Sequence, residues 1–163
     1  MQRTAQTAEA IARTLGLSPQ SLVGLLDLDY GAWQGLSHQE AAARYGELYA
    51  AWRLAPHTVQ FPGGEALAHV RARVWPAVRE LADRHAGQTV VLVGHQAVNK
   101  VLLCAVLGLD DAHFWQIEQA TGCLNVFEHR KGLFVLTLLN DTCHLGKQLD
   151  FGSATQMQEV SHV

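Results

Sequence analysis

The feature that most constrains the fold is an apolar run that ends in a glycine and a histidine. Residues 89–93 read TVVLV, uncharged and mostly β-branched, which predicts a central strand covered on both faces. Gly94 permits a sharp turn, and an almost wholly apolar helix is predicted over residues 97–107. His95 is therefore expected at the carboxyl end of a buried strand, where open α/β sheets bind ligands.

Two interpretations of His95 remain open at this point. The amides of the helix that follows would favour an anion beside the imidazole, which indicates a ligand site. Alternatively, the side chain only caps the helix or fills a polar corner of the fold. Position alone gives the two interpretations about equal weight.

Composition limits the classes of protein to consider. The 163 residues suit one domain, and 48% hydrophobic residues suffice for a sizeable core. A net charge of −3 and a pI near 6.3 argue against a nucleic-acid partner. The apolar run around residues 101–109 is too short for a bilayer, so no membrane partner is expected, and no secretory signal is visible.

The cysteines and histidines give no pattern typical of a disulfide framework or a metal site. Cys104, Cys123 and Cys143 are odd in number and irregularly spaced. None of the nine histidines pairs at helical ligand spacing with a third ligand nearby. We therefore expect a reduced, cytoplasmic protein with no metal and no cofactor.

Hydrophobic periodicity and capping signals predict an alternation of helices and strands. Helices are predicted over residues 3–15, 38–45, 47–53, 62–85 and 97–107, with a short one after Asp110 or Asp111. Pro76, inside the longest pattern, predicts a kink or two helices meeting. Strands are predicted over residues 22–26 and 89–93, with a hairpin over 123–129 and 133–138. Residues 54–61 are predicted to be a surface loop, of the kind that can act as a lid.

The segment over residues 27–35, DLDYGAWQG, combines two glycines, two acids and two aromatic residues. Such a loop can line a pocket. In the alternative interpretation, Tyr30 and Trp33 fill the core, and the aspartates form solvated turns.

Four segments carry a resemblance when they are taken in chain order. Residues 3–8 read RTAQTA, and residues 27–35, 62–65 and 93–96 read DLDYGAWQG, PGGE and VGHQ. Together they resemble the histidine phosphatase superfamily, in its phosphoglycerate mutase-like branch with the α-ribazole phosphatases. The resemblance implies an α/β fold, a three-layer αβα sandwich, over residues 1–145. Residues 146–163 are expected to form a flexible tail.

The same resemblance implies roles for four residues. Arg3 would hold phosphate oxygens, and His95 would donate to the transferring phosphoryl group. Asp27 stands where the family has the glutamate that protonates the leaving alkoxide, although its side chain is one methylene shorter. Gln96, which follows the histidine, would contact substrate. The implied ligand is a small phosphorylated metabolite or inorganic phosphate.

One part of the family pattern is absent from this sequence. Family members carry an R-H-G motif whose histidine is phosphorylated during catalysis, and R-H-G does not occur here. We therefore expect the first strands of the sheet to be missing from this chain, and catalysis to be impaired. His38, His57 and His144 lie outside the matched strand ends and are not expected to replace that histidine.

Several functions remain open. The segment between the second and third motifs is short, which favours a phosphatase of small phosphate monoesters over a phosphoglycerate mutase. A chain without the phosphorylated histidine could also be a non-catalytic relative that binds phosphate. Missing strands would also expose strand edges, which predicts a possible homo-oligomer.

Overall fold

The computed structural model describes residues 2–146, a mixed α/β arrangement of five helices and one hairpin with short 3-10 turns between them. The helices are α1 (Gln2–Leu15), α2 (His38–Arg44), α3 (Gly46–Leu54), α4 (Leu67–Arg84) and α5 (Gln96–Val106), and the strands are β1 (Leu124–Arg130) and β2 (Leu133–Asp141). The 3-10 turns span Val23–Leu25, Gly31–Trp33, Pro56–Thr58, Asp111–Gln116 and Cys143–Leu145. The predicted tail lies, beyond Gly146, outside the described residues.

Helices α4 and α5 form the centre of the core. Helix α4 buries four apolar side chains at helical spacing, whereas α5 buries nine of its residues, as its nearly all-apolar sequence predicts. Pro76 lies within α4, which is one helix rather than two. The helix begins at Leu67 instead of residue 62, because Gln60 and Ala66 form an isolated bridge that closes the preceding turn.

The prediction of a buried central strand over residues 89–93 was wrong. This segment forms no strand, and Val90 and Val91 are 41% and 55% exposed. A strand requires a neighbour that accepts and donates backbone hydrogen bonds, and the only paired strands within residues 2–146 are β1 and β2. The backbone of the apolar run that leads to His95 is therefore not paired with another strand.

Two other local predictions were also wrong. The predicted strand over residues 22–26 is instead a 3-10 turn at Val23–Leu25, with Val23 73% exposed. The segment 54–61 is not a surface loop, because Val59 and Phe61 are fully buried. Phe61 packs edge-on against the rings of Trp33 and Trp52, so this segment forms part of the core.

The hairpin and the 3-10 turn that precedes it follow the predicted pattern. Strands β1 and β2 pair antiparallel, and Arg130 opposite Leu133 closes a two-residue turn. Lys131 and Gly132 both have positive φ, 49° and 82°, which a tight hairpin turn of this type requires. Asp110 caps the 3-10 turn Asp111–Gln116 by accepting from the amide of Ala112, as predicted.

Candidate active site

The side chains of Arg3, Asp27 and His95 meet although they are far apart in the chain. The guanidinium of Arg3 donates to Oδ2 of Asp27 at 2.6 Å and contacts Nδ1 of His95 at 2.9 Å. Nδ1 of His95 and Oδ2 of Asp27 are 3.2 Å apart. The structure therefore brings together three of the four residues that the sequence indicated.

Each of the three side chains is placed by a different local feature. Arg3 lies in the first turn of α1. Asp27 follows the Val23–Leu25 turn and accepts, through Oδ1, the amide of Leu28. His95 has an extended backbone and is the N-cap of α5, its carbonyl accepting from the amide of Asn99. A glycine precedes it because a Cβ at Gly94 would lie only 2.7 Å from the side chain of Asn99.

The protonation state of His95 follows from its neighbours. A guanidinium can only donate, so a hydrogen bond from Arg3 is made by the tautomer whose Nδ1 accepts and whose proton is on Nε2, whereas a bond to Asp27 needs the proton on Nδ1. Burial is the main cause that lowers the pKa of His95, and the charge of Arg3 acts in the same direction. The charge of Asp27 opposes this shift and raises the pKa of His95. Burial and the contact with Arg3 thus both favour the uncharged imidazole, which has a donor at Nε2 in the tautomer that accepts from Arg3.

A cavity of about 360 Å³ opens beside this cluster. It is lined by Gln2, Arg3, Asp27, Leu28, Tyr30 and Gln34. Burial and the neighbouring charge of Asp27 raise the pKa of Tyr30 to about 12, so the phenol stays protonated. The cavity therefore offers one cation and several neutral donors beside a carboxylate, which suits a small anion carrying a polar group.

The fourth predicted residue, Gln96, is placed differently. Its amide Nε2 donates to the carbonyl of Gln119 at 2.8 Å, and the residue is absent from the cavity lining. The structure thus does not join Gln96 to the Arg3 cluster. Of the two aromatic residues in segment 27–35, Tyr30 lines the cavity, whereas Trp33 fills the core and is 7% exposed.

Sequence reasoning missed two polar residues of the cavity, Gln2 and Gln34. Gln34 donates to Asp29 at 3.2 Å and lies inside the segment that was expected to line a pocket. The prediction that residues 27–35 line a pocket could therefore have indicated Gln34. Gln2 precedes the first motif, and no pattern in the sequence indicates it.

The described part of the chain holds no group of three or more His, Cys, Asp and Glu side chains arranged to bind a metal ion. Within residues 2–146, no helix has the length and apolar character needed to cross a membrane.

An α/β domain with a guanidinium, an imidazole and a carboxylate converging beside a small cavity is arranged to handle an oxyanion. The chain belongs to the histidine phosphatase superfamily (branch 1), because the sequence model of that family matches residues 1–142. The family resemblance read from the four motifs is confirmed.

One curated relative is phosphoserine phosphatase 1 of Hydrogenobacter thermophilus, which is 35% identical over 147 residues. The match covers 90% of this chain and 70% of the relative. Three mycobacterial relatives are longer, and the chain spans 40% of their length.

Two solved structures establish the fold. YhfR of Bacillus stearothermophilus superposes with a TM-score of 0.83 at 26% identity, over 88% of this chain and 71% of that protein. A mycobacterial glucosyl-3-phosphoglycerate phosphatase in complex with inorganic phosphate gives a TM-score of 0.74 at 25% identity, over 86% and 73% of the two chains. The predicted phosphoglycerate mutase-like α/β fold is therefore confirmed, even though residues 89–93 are not a paired strand.

Proposed function

We propose that this chain carries the anion-binding and proton-donating part of a site for hydrolysis of small phosphate monoesters. The single observation that carries the proposal is the mutual contact of Arg3, Asp27 and His95, of which Arg3 and Asp27 line the cavity. Phosphatases among the relatives and structural neighbours support the same reaction class.

Each of the three side chains has a proposed task. Arg3 exchanges its contact with Asp27 for the oxygens of a phosphoryl group, which its planar fork can bind in pairs. Arg3 is largely exposed, so solvent weakens its ion pair with Asp27 and lowers the free energy that the exchange costs. His95 donates from Nε2 as charge develops on the phosphoryl oxygens.

Asp27 is the proposed proton donor. In its acid form it would give a proton to the oxygen of the leaving group as the P–O bond breaks, so that a neutral alcohol departs. Its side chain lies at the cavity wall, beside the proposed phosphoryl site. The carboxylate thus has access both to Arg3 and to the space for the leaving group.

We further propose that the 163-residue chain by itself turns substrate over poorly. Phosphoryl transfer through a phosphohistidine needs an unprotonated imidazole in line with the leaving oxygen. Within residues 2–146, no histidine other than His95 contacts Arg3 or Asp27, and the proposed role of His95 is that of donor. A non-catalytic phosphate-binding relative and a phosphoglycerate mutase are the alternatives. A cytoplasmic location remains a prediction.

The proposal is tested by phosphate binding and turnover in the same preparations. Inorganic phosphate should raise the melting temperature of the chain, and Arg3→Ala should abolish that shift. Arg13→Ala, on the same helix, is the matched control and should keep it. The wild-type chain should hydrolyse p-nitrophenyl phosphate no faster than the His95→Ala variant does.

Each outcome has a distinct meaning. Turnover that disappears in His95→Ala would show a complete catalytic set in this chain and refute the proposed impairment. A phosphate shift that survives Arg3→Ala would place the anion elsewhere and refute the site. Isomerisation of a phosphoglycerate in place of ester hydrolysis would favour the mutase alternative.

A further inference from the structure

Arg73 of α4 is the centre of a hydrogen-bond network beneath the site. Its Nη1 donates to the carbonyls of Gly24 and Leu26 at 2.9 and 2.7 Å, and its Nη2 donates to the carbonyl of Asp27 at 3.0 Å. One guanidinium therefore holds three carbonyls of the segment that leads into and includes Asp27. These are charge-assisted bonds to backbone that has no regular strand partner to satisfy it.

Glu65 holds Arg73 and extends the network to the other side of Asp27. Its two oxygens accept from Nε and Nη2 of Arg73, both at 2.9 Å. The same carboxylate accepts from the amide of Asp29 at 3.0 Å, while the amide of Glu65 donates to the carbonyl of Asp29 at 2.8 Å. The peptide groups before and after Asp27 are thus fixed by one ion pair.

This ion pair is partly shielded from solvent and firmly paired. The side chains of Arg73 and Glu65 are 21% and 24% exposed, and the bond to Arg73 is the main cause that lowers the pKa of Glu65. Among the residues that line the cavity, Arg73 has a described bond only to Asp27, through its backbone carbonyl, and it has none to His95. Its influence on the site therefore passes through the backbone at Asp27.

We propose that Arg73 and Glu65 are positioning residues that set the distance of the Asp27 carboxylate from His95 and Arg3. This inference rests on the proposed role of Asp27 in the site. The Asp27 side chain has one bond to its own backbone neighbour, Leu28, and otherwise faces Arg3 and His95. Its place is therefore determined by the backbone that Arg73 and Glu65 hold.

The consequence can be measured on His95 without turnover or phosphate. The charge of Asp27 raises the pKa of His95 against the effect of burial. If Arg73 sets the position of that charge, Arg73→Lys should lower the pKa of His95 in the same direction as Asp27→Asn. A lysine keeps the charge but cannot bind three carbonyls and a carboxylate at once.

The experiment is an NMR titration of the His95 imidazole nitrogens in the full chain, with Arg71→Lys as the matched control. Arg71, two residues away on α4, also binds a carboxylate and a carbonyl, those of Asp111 and Leu109. Arg73→Lys should produce at least half of the pKa change given by Asp27→Asn, and Arg71→Lys should produce none. In the Asp27→Asn background, Arg73→Lys should add no further change.

Glu65→Gln provides a second, milder variant for the case in which Arg73→Lys fails to fold, and should shift His95 in the same direction. Equal His95 titration in wild type, Arg73→Lys and Glu65→Gln would overturn the proposal. The proposal would also be overturned if Arg73→Lys changed the pKa of His95 by the full amount in the Asp27→Asn background. A general structural role of Arg73 would then explain the change. Failure of phosphate binding alone would refute the proposed function and leave this result standing.

Discussion

Arg3 donates to Oδ2 of Asp27 at 2.6 Å, so the cation proposed to bind phosphate already has a carboxylate partner. The partner is mostly buried, with Asp27 15% exposed, while Arg3 is 71% exposed. A phosphoryl group that approaches Arg3 must compete with this carboxylate and is also repelled by it. The same group that is proposed to donate the proton therefore limits the affinity for product phosphate.

Asp27→Asn is expected to strengthen phosphate binding. The substitution removes a competing negative charge from Arg3, and a gain of about 1 kcal/mol, or about fivefold in Kd, is the size that such partly exposed pairs support. Calorimetric titration with inorganic phosphate measures it. Asp83→Asn makes the same change in net charge at a highly exposed position and is the control. Weaker binding in Asp27→Asn would contradict the exchange of partners on Arg3.

Stability is expected to depend on pH through His95. Because its pKa is lower in the folded state, the unfolded chain binds the proton more readily as pH falls. The contribution of neutral His95 to the free energy of unfolding is therefore complete above the ordinary pKa of about 6.5. As the pH falls below that value, this contribution is lost at up to about 1.4 kcal/mol per pH unit. Urea unfolding between pH 7.5 and 5.5 should show a steeper loss for wild type than for His95→Gln. Equal slopes in the two proteins would refute this account.

Gly64 is expected to be intolerant of any side chain. A Cβ there would overlap the carbonyl of Asp29 and the backbone of Gly31, and backbone atoms cannot move aside as the end of a flexible side chain can. Gly64→Ala should therefore cost at least about 2 kcal/mol of unfolding free energy, as overpacking does. Gly46→Ala is the matched control, since nothing lies within 4 Å of its Cβ position at the start of α3. Urea unfolding compares them, and equal stability of the two variants would be the contrary result.

The unpaired segment 89–93 is expected to promote association between copies of the chain. An apolar segment whose backbone has no strand partner is a template for strand pairing, and Val91 is 55% exposed there. Val91→Lys should shift the protein toward monomer, as measured by light scattering after size exclusion. Val23→Lys, at another exposed valine, should not. A monomeric wild type with a cooperative melt would speak against this expectation.

The helices could be predicted from sequence because their causes are local. The capping box of Ser37 and Glu40 begins α2 at the predicted residue, and Gly16 ends α1 with a φ of 67°. The almost wholly apolar α5 is buried as its composition predicts. In these elements the signals lie within a few residues of one another, or within the composition of one segment, so the pattern is enough.

The errors arose where structure depends on distant partners. Residues 89–93 have the composition of a strand, but pairing requires a second chain segment that the pattern does not reveal. The contact between Arg3 and His95 became visible only through the family motifs, since 92 residues separate them. The role of Arg73 could not be predicted, because an arginine in a helical pattern resembles any other charged surface residue. Only the structure shows its three carbonyl acceptors.

Helix α1 buries only one residue, Ala12, yet it supplies the cation of the site. Local opening of a helix with so little buried surface requires much less free energy than unfolding of α4 or α5. A ligand held by Arg3 is bound only while α1 is docked, so ligand affinity and the docking equilibrium of this helix are thermodynamically coupled. The amide protons of α1 therefore report on occupancy of a site whose other residues lie in more deeply anchored parts of the protein.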